Sequence, residues 1–107
     1  MARTKFQTLT AQMYYVLLCL TSEYYGMDIM DQVSTMTNGT IKVGSGTLYH
    51  LLEQFSADGI IRETKVEGRR RSYIITDKGL DMLTAEYQRI RSQVADYEKF
   101  VLKEEKQ

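Results

Sequence analysis

Proline and tryptophan are absent from this 107-residue chain, and cysteine and histidine occur once each, as Cys19 and His50. One cysteine excludes an internal disulfide framework. One Cys with one His cannot furnish the four ligands of a structural zinc site, so no metal or cofactor is expected. Without proline there is no proline-rich linker, and no repeat or low-complexity segment interrupts the chain. His50 has no carboxylate and nucleophile at a recognisable catalytic spacing, so the chain does not read as an enzyme. Net charge is also lacking: 14 basic and 14 acidic residues cancel. The apolar run Met13-Tyr14-Tyr15-Val16-Leu17-Leu18-Cys19-Leu20 is too short to span a bilayer. Arg3 and Lys5 precede it, but Thr21-Ser22-Glu23-Tyr24 offers no small-residue cleavage site, so it is not a signal peptide. A cytoplasmic location is expected, consistent with a lone cysteine among leucines, and no membrane partner.

What is present is one small domain with a thin core, for which pairing with a second chain is the remaining source of buried surface. The zero net charge conceals a gradient. Residues 42–76 hold six basic side chains (Lys42, Arg62, Lys65, Arg69, Arg70, Arg71) against four acidic ones, whereas the segments on either side each carry one excess negative charge.

The positive segment is also the most patterned. Leu9, Met13, Val16, Leu17 and Leu20 recur at helical spacing and predict a first helix over 8–21, capped by Thr8 or Thr10. Tyr14 and Leu18 give that helix a second apolar face. After a connector at 23–26, Ile29, Met30, Val33 and Met36 or Thr37 mark a second helix that Gly39 ends. A third helix is expected from about Ser45 to Asp58. Leu48, Leu51 or Leu52, and Phe55 lie inside; Thr47, His50, Glu53, Gln54 and Ala57 lie outside, with Tyr49 at the edge. Gly59 stops it. Ile60–Val66 and Arg70–Ile75 read as two strands reversed at Glu67-Gly68. Thr76-Asp77 caps a last helix, where Leu80, Leu83, Tyr87, Ile90, Val94, Tyr97 and Val101 alternate three and four apart as a heptad seam. At 1.5 Å per residue a helix of about 25 residues is about 38 Å long. It outruns the small core, and a second copy of the chain is the simplest cover.

The fold class is therefore mainly α with a two-stranded β-wing: a winged helix-turn-helix over 1–76 and a dimerisation helix over 77–107, forming one unit. Gly44 and Gly46 strip side chains from the entry of the third helix. There N–H groups suit a phosphate, and Ser45, Thr47 and Tyr49 add donors; an ordinary turn with a Ser or Thr cap reads the same residues equally well. Strand alternation sends Arg69 and Arg71 to one face and Arg70 to the other, and at least one arginine toward the hairpin tip. A solvated edge strand is the alternative. His50 is read as a groove-facing polar residue, Cys19 as a small core residue, and Asp28 and Asp31 as a solvated face. The eight tyrosines fit a ligand cavity between subunits or simple packing.

These residues resemble the PadR family of bacterial transcriptional regulators. The resemblance is carried by Thr10-Ala11, Tyr14 to Leu18, Tyr25-Gly26-Met27-Asp28-Ile29, Gly44-Ser45-Gly46-Thr47-Leu48-Tyr49, Leu52, Phe55, Gly59-Ile60-Ile61, Gly68-Arg69-Arg70-Arg71-Ser72-Tyr73, Ile75-Thr76 and Gly79. It implies a homodimer that binds double-stranded DNA at a near-palindromic operator, usually as a repressor, with release by a small-molecule effector in some members. It implies DNA contacts from Lys42, Ser45, Gly46, Thr47, Tyr49, His50, Arg69, Arg70 and Arg71. The dimer interface would comprise Tyr14, Leu18, Leu83, Tyr87, Ile90, Val94, Tyr97 and Val101. Relatives that hold flat aromatic drugs between subunits can use a Trp on the last helix; with none here, that role does not carry over. The neutral net charge leaves two other readings open, a winged-helix protein-interaction module and a ligand sensor without DNA binding.

Overall fold

Thr10 starts the first helix by accepting a hydrogen bond from the Met13 N–H at 3.1 Å through its hydroxyl. The resulting α1 spans Ala11–Cys19. It is shorter than the expected 8–21, because Leu9 keeps the helical spacing but is buried just ahead of the cap. The computed structural model describes residues 8–103; Arg3 and Lys5, weighed above, lie outside that range. The chain continues through β1 Tyr24–Tyr25, α2 Gly26–Met36, α3 Ser45–Ala57, β2 Ile61–Glu67, β3 Arg70–Ile75 and α4 Asp77–Val101.

Helix α3 begins and ends where the glycines put it. Gly59 takes φ +74°, and the Ile60 N–H reaches back to the Phe55 carbonyl at 2.9 Å, closing the helix in a left-handed cap. The two expected strands form a hairpin turned at Gly68, φ +63°. The reversal falls at Gly68-Arg69 rather than Glu67-Gly68, because Glu67 still pairs, opposite Arg70. A third strand was not foreseen. Tyr24 and Tyr25, expected as a connector, pair antiparallel with Tyr73 and Ser72, giving the sheet order β1-β3-β2. Two residues are too few to show any alternation.

The core is drawn from every helix. Val16, Leu17 and Leu20 from the α1 region, Ile29 and Val33 from α2, and Leu48, Leu52 and Phe55 from α3 meet Ile60 and Ile61 with almost no exposed surface. Cys19 lies among them with Sγ 3.8 Å from Met36 Sδ, and burial pushes its thiol up to about 11. It remains a protonated core residue.

Helix α4 is fastened at its first turns only. The Thr76 hydroxyl sits 2.6 and 2.8 Å from the Gly59 and Ile60 carbonyls and accepts from the Gly79 N–H at 3.2 Å. Gly79 is packed so closely that a Cβ there would fall 2.4 Å from the Ile60 carbonyl oxygen and 2.5 Å from Ile75 Cγ1. Leu83 and Glu86 are the last buried residues of the helix. Glu86 pairs with Arg89, whose Nε donates to Oε1 at 3.2 Å, and Oε1 also lies 3.5 Å from the Leu9 amide. The Arg89 hydrogen bond holds the Glu86 carboxyl below the usual carboxylate range.

Every residue from Tyr87 to Val101 is exposed. Leu83, expected in a seam between subunits, is instead 7% exposed against its own protomer's core. Leu80, one step earlier in the seam, is 42% exposed, and from Tyr87 onward the seam is open without interruption. The radius of gyration is 16.3 Å, against about 13 Å for a compact chain of this length; the free half of α4 accounts for the excess.

Two outcomes test this packing. Gly79→Ala should lose about 1–3 kcal/mol of stability through overpacking, although alanine is ordinarily the better helix former by up to about 1 kcal/mol; an unchanged denaturant midpoint would refute the contact. Glu86 has a depressed folded pKa, so its contribution is fully present above the unfolded value of about 4.3 and fades as pH falls through the lower folded value. Glu86→Gln should therefore be less stable than wild type at pH 7, with the gap closing toward pH 3. A gap independent of pH in urea melts would show that the charge is not what matters.

Candidate nucleic-acid interface

The start of α3 is open in a specific way. Gly44 occupies the N-cap with extended backbone (ψ 159°) and no side-chain cap bond, and the first helical hydrogen bond is from the Leu48 N–H to the Gly44 carbonyl at 2.9 Å. The capped turn that was the alternative reading does not form. The first-turn N–H groups therefore face solvent without a side-chain partner. A Cβ on Gly44 or Gly46 would meet nothing within 4 Å. Among the described residues nothing approaches these glycines, which leaves the helix start open to a close approach by another molecule. Ser45, Gly46, Thr47 and His50 are all exposed. Lys42 is exposed in the preceding link, whose position is fixed by the Gln12 side chain donating to the Lys42 carbonyl at 2.8 Å.

Between α3 and the wing runs a cleft of about 920 Å³. Tyr49 and Glu53 line its helix side, and Arg71, Tyr73 and Glu63 its sheet side; Arg62, Arg69 and Arg70 also border it. Gly26 closes the floor. A Cβ there would lie 3.2 Å from Leu52 Cδ1, a tight approach, and at ordinary contact distance from Tyr73 Cε1 (3.4 Å) and Tyr49 Cε1 (3.6 Å), so the start of α2 lies directly against both tyrosines. Desolvation, with the nearby Glu63 charge, raises the Tyr73 pKa.

The cleft thus brings Tyr49 together with the three wing arginines, while Ser45, Gly46, Thr47, His50 and Lys42 lie outside its lining. Tyr73 and Arg62 were not singled out in the sequence. Tyr73 was within reach, since two residues along a strand from Arg71 it shares that face. Gly26 was not, because its reason is the convergence of three distant segments.

The three arginines occupy different environments. Arg69 lies in the turn, not in a strand, so alternation does not govern it; it has no ion pair among the described residues. Arg70 is on one side of β3, its guanidinium 4.1 Å from the centroid of the Tyr25 ring. The Tyr25 hydroxyl donates to Glu67 Oε1 at 2.6 Å, which raises the Tyr25 pKa. Arg71 pairs across the hairpin, its Nη1 donating to Glu63 Oε2 at 2.8 Å.

A β-bulge arranges these partners. The register passes from Glu63 opposite Tyr73 to Lys65 opposite Ser72, leaving Thr64 as the extra residue. A regular ladder would have set Lys65 against Arg71 and Val66 against Arg70. The bulge instead places Val66 opposite Arg71 and Glu67 opposite Arg70, so no like charges face each other directly. The Thr64 hydroxyl donates to the Ser72 hydroxyl at 3.1 Å, giving the extra residue a side-chain partner in the adjacent strand.

Among the described residues no cluster of His, Cys, Asp and Glu could hold a metal ion, and no helix is long and apolar enough to cross a membrane.

The fold recurs in solved proteins. A transcriptional regulator from Clostridium thermocellum aligns with a TM-score of 0.70 and 22% identity, covering 85% of this chain and 92% of that one. A PadR family transcriptional regulator from Eggerthella lenta aligns at 0.68 and 22%, covering 84% and 77%. PadR of Bacillus subtilis, solved in complex with operator DNA, aligns at 0.63 and 20%, covering 73% of this chain and 47% of that protein. At these identities the likeness establishes a common fold. No curated protein matches the sequence. The family model described as "Transcriptional regulator PadR-like family" matches residues 16–85, from the buried half of α1 through the wing to the buried turns of α4. The chain belongs to the PadR-like family of transcriptional regulators.

Proposed function

We propose that the protein is a homodimeric repressor that binds double-stranded DNA at a near-palindromic operator. The observation that carries this reading is the pairing of an uncapped, exposed α3 N-terminus with a cleft bordered by four arginines on the same helix's wing side. Helix α3 enters the major groove. Ser45, Gly46, Thr47 and His50 meet phosphates and base edges, and one backbone strand of the duplex follows the cleft between Tyr49 and the wing. Arg69, Arg70 and Arg71 hold the flanking phosphates, and Lys42 reaches the backbone from the link.

Dimerisation supplies the second reading head. The exposed α4 seam includes Tyr87 (48% exposed), Val94 (51%), Tyr97 (58%) and Val101 (54%), an apolar stripe on a rod that the protomer leaves uncovered. Tyr14 and Leu18 of α1 are half-buried and complete the surface a partner helix would meet. A two-fold pair places two α3 helices about 34 Å apart, one duplex turn.

One observation favours a protein-interaction module instead: Arg70 and Arg71 are already engaged, by Tyr25 and Glu63, on a chain of zero net charge. A gel shift with the DNA upstream of the chain's own gene separates the two. A salt-sensitive shift supports the repressor, and no shift at low salt supports the module.

Arg70→Ala with Arg71→Ala should weaken binding to every duplex, making the dependence of log K on log salt shallower by up to about 2, while the thermal melt stays close to that of wild type. Unchanged affinity would remove the wing from the mechanism. Ile90→Glu with Val94→Glu puts four charges into a dimeric seam and should yield monomer, or unfolded chain, in sedimentation velocity and circular dichroism. An intact dimer would place the interface elsewhere.

A further inference from the structure

The sheet wall of the cleft carries a group that DNA binding does not call for: the carboxylate of Glu63, bonded to Arg71 at 2.8 Å. The pair is not forced by the ladder, since the directly opposed partners are Glu63 with Tyr73 and Val66 with Arg71. Both side chains are open, 36% and 58% exposed, and both line the cleft. To a guanidinium, a carboxylate and a phosphodiester offer the same thing, anionic oxygens that accept its hydrogen bonds. A phosphate that takes the Arg71 Nη1 donor now held by Glu63 must displace that carboxylate.

We propose that Glu63 is a positioning residue and internal competitor, a built-in phosphate surrogate that holds Arg71 against the cleft wall and must yield it to the DNA backbone. This rests on the DNA-binding reading above. The exposure of the pair is what makes the exchange feasible. Exposed ion pairs are weak, so surrendering one lowers affinity by only about two- to five-fold. The same exchange reduces the salt response, because salt screens the Glu63–Arg71 pair as well as the Arg71–phosphate contact that replaces it. The device lowers affinity for DNA backbone of any sequence and leaves base discrimination to α3.

The test is a double-mutant cycle on the full chain, with Glu63→Gln, Arg71→Ala and the double variant. Fluorescence anisotropy is measured against a labelled 30-base-pair duplex of random sequence across salt concentrations. Glu63→Gln should tighten binding by about two- to five-fold and steepen the salt dependence by up to about 0.9; in the Arg71→Ala background the same change should have no effect. Glu63→Ser should reproduce the gain, and it decides the matter if thermal melts show that Glu63→Gln does not fold. Unaltered or weaker binding by the folded single variant overturns the proposal. An equal gain without Arg71 also overturns it, since Glu63 then acts only through its general field. If the wild-type chain binds no duplex at low salt, the DNA-binding reading itself fails; if wild type binds and only the cycle fails, that reading stands and the competitor role falls.

Discussion

The structure turns on one backbone-to-backbone contact, where the first turn of α4 lies on the end of the α3–β2 connection. Gly79 approaches the Ile60 carbonyl so closely that no side chain fits between them. Around it, Thr76 joins four segments: its N–H donates to the Ile60 carbonyl at 3.0 Å, its hydroxyl lies against the Gly59 and Ile60 carbonyls, and it caps α4 through Gly79. One residue before Thr76, the Ile75 N–H donates to the Leu20 carbonyl at 2.7 Å, tying β3 to the end of α1. The α3–wing cleft and the exposed seam of α4 therefore meet at a junction with no slack. If two chains pair along α4, the direction in which each α3 points is set by this contact and not by a flexible hinge. Half-site spacing is then a property of the protomer fold.

Local rules made most of the elements readable and left the long-range ones hidden. The glycine at 59, the branched residues between Ile60 and Val66 and the three-four spacing on α4 each state their consequence within a few residues. The strand at Tyr24-Tyr25 does not, because it exists only where β3 has a free edge. The bulge at Thr64 is equally invisible, since no apolar alternation in β2 fixes the register; in the observed register Lys65 faces Ser72 and Glu67 faces Arg70. Leu83 shows another kind of limit. Periodicity identifies which face of a helix is apolar, but not what covers it: within one unbroken heptad pattern Leu83 is buried, while Leu80 before it and Tyr87 after it are exposed. The exposed α3 entry was legible as Gly-Ser-Gly, whereas the cleft beside it needed Gly26, Tyr49 and Tyr73 to arrive from separate elements.

The two sides of the candidate site are in opposite electrostatic states. At α3 the helix start has no side-chain cap, so its partial positive charge is unanswered. On the wing, Arg70 is engaged by the Tyr25 ring and Arg71 by Glu63, whereas Arg69 has neither a ring contact nor an ion pair among the described residues. Such a surface differs from a simple basic stripe. A chain with no net charge attracts DNA weakly at distances beyond a Debye length, about 8 Å at physiological salt. On the DNA-binding reading, little is gained by approach and most is gained on contact, when the α3 amides and Arg69 meet phosphates and the other wing arginines exchange partners. Selection for the duplex then rests on the fit of α3 and the cleft at short range. The bulge is what makes that compatible with three consecutive arginines: by moving Lys65 away from Arg71 and Glu67 opposite Arg70, it lets the wing hold its cations side by side without pushing its own strands apart.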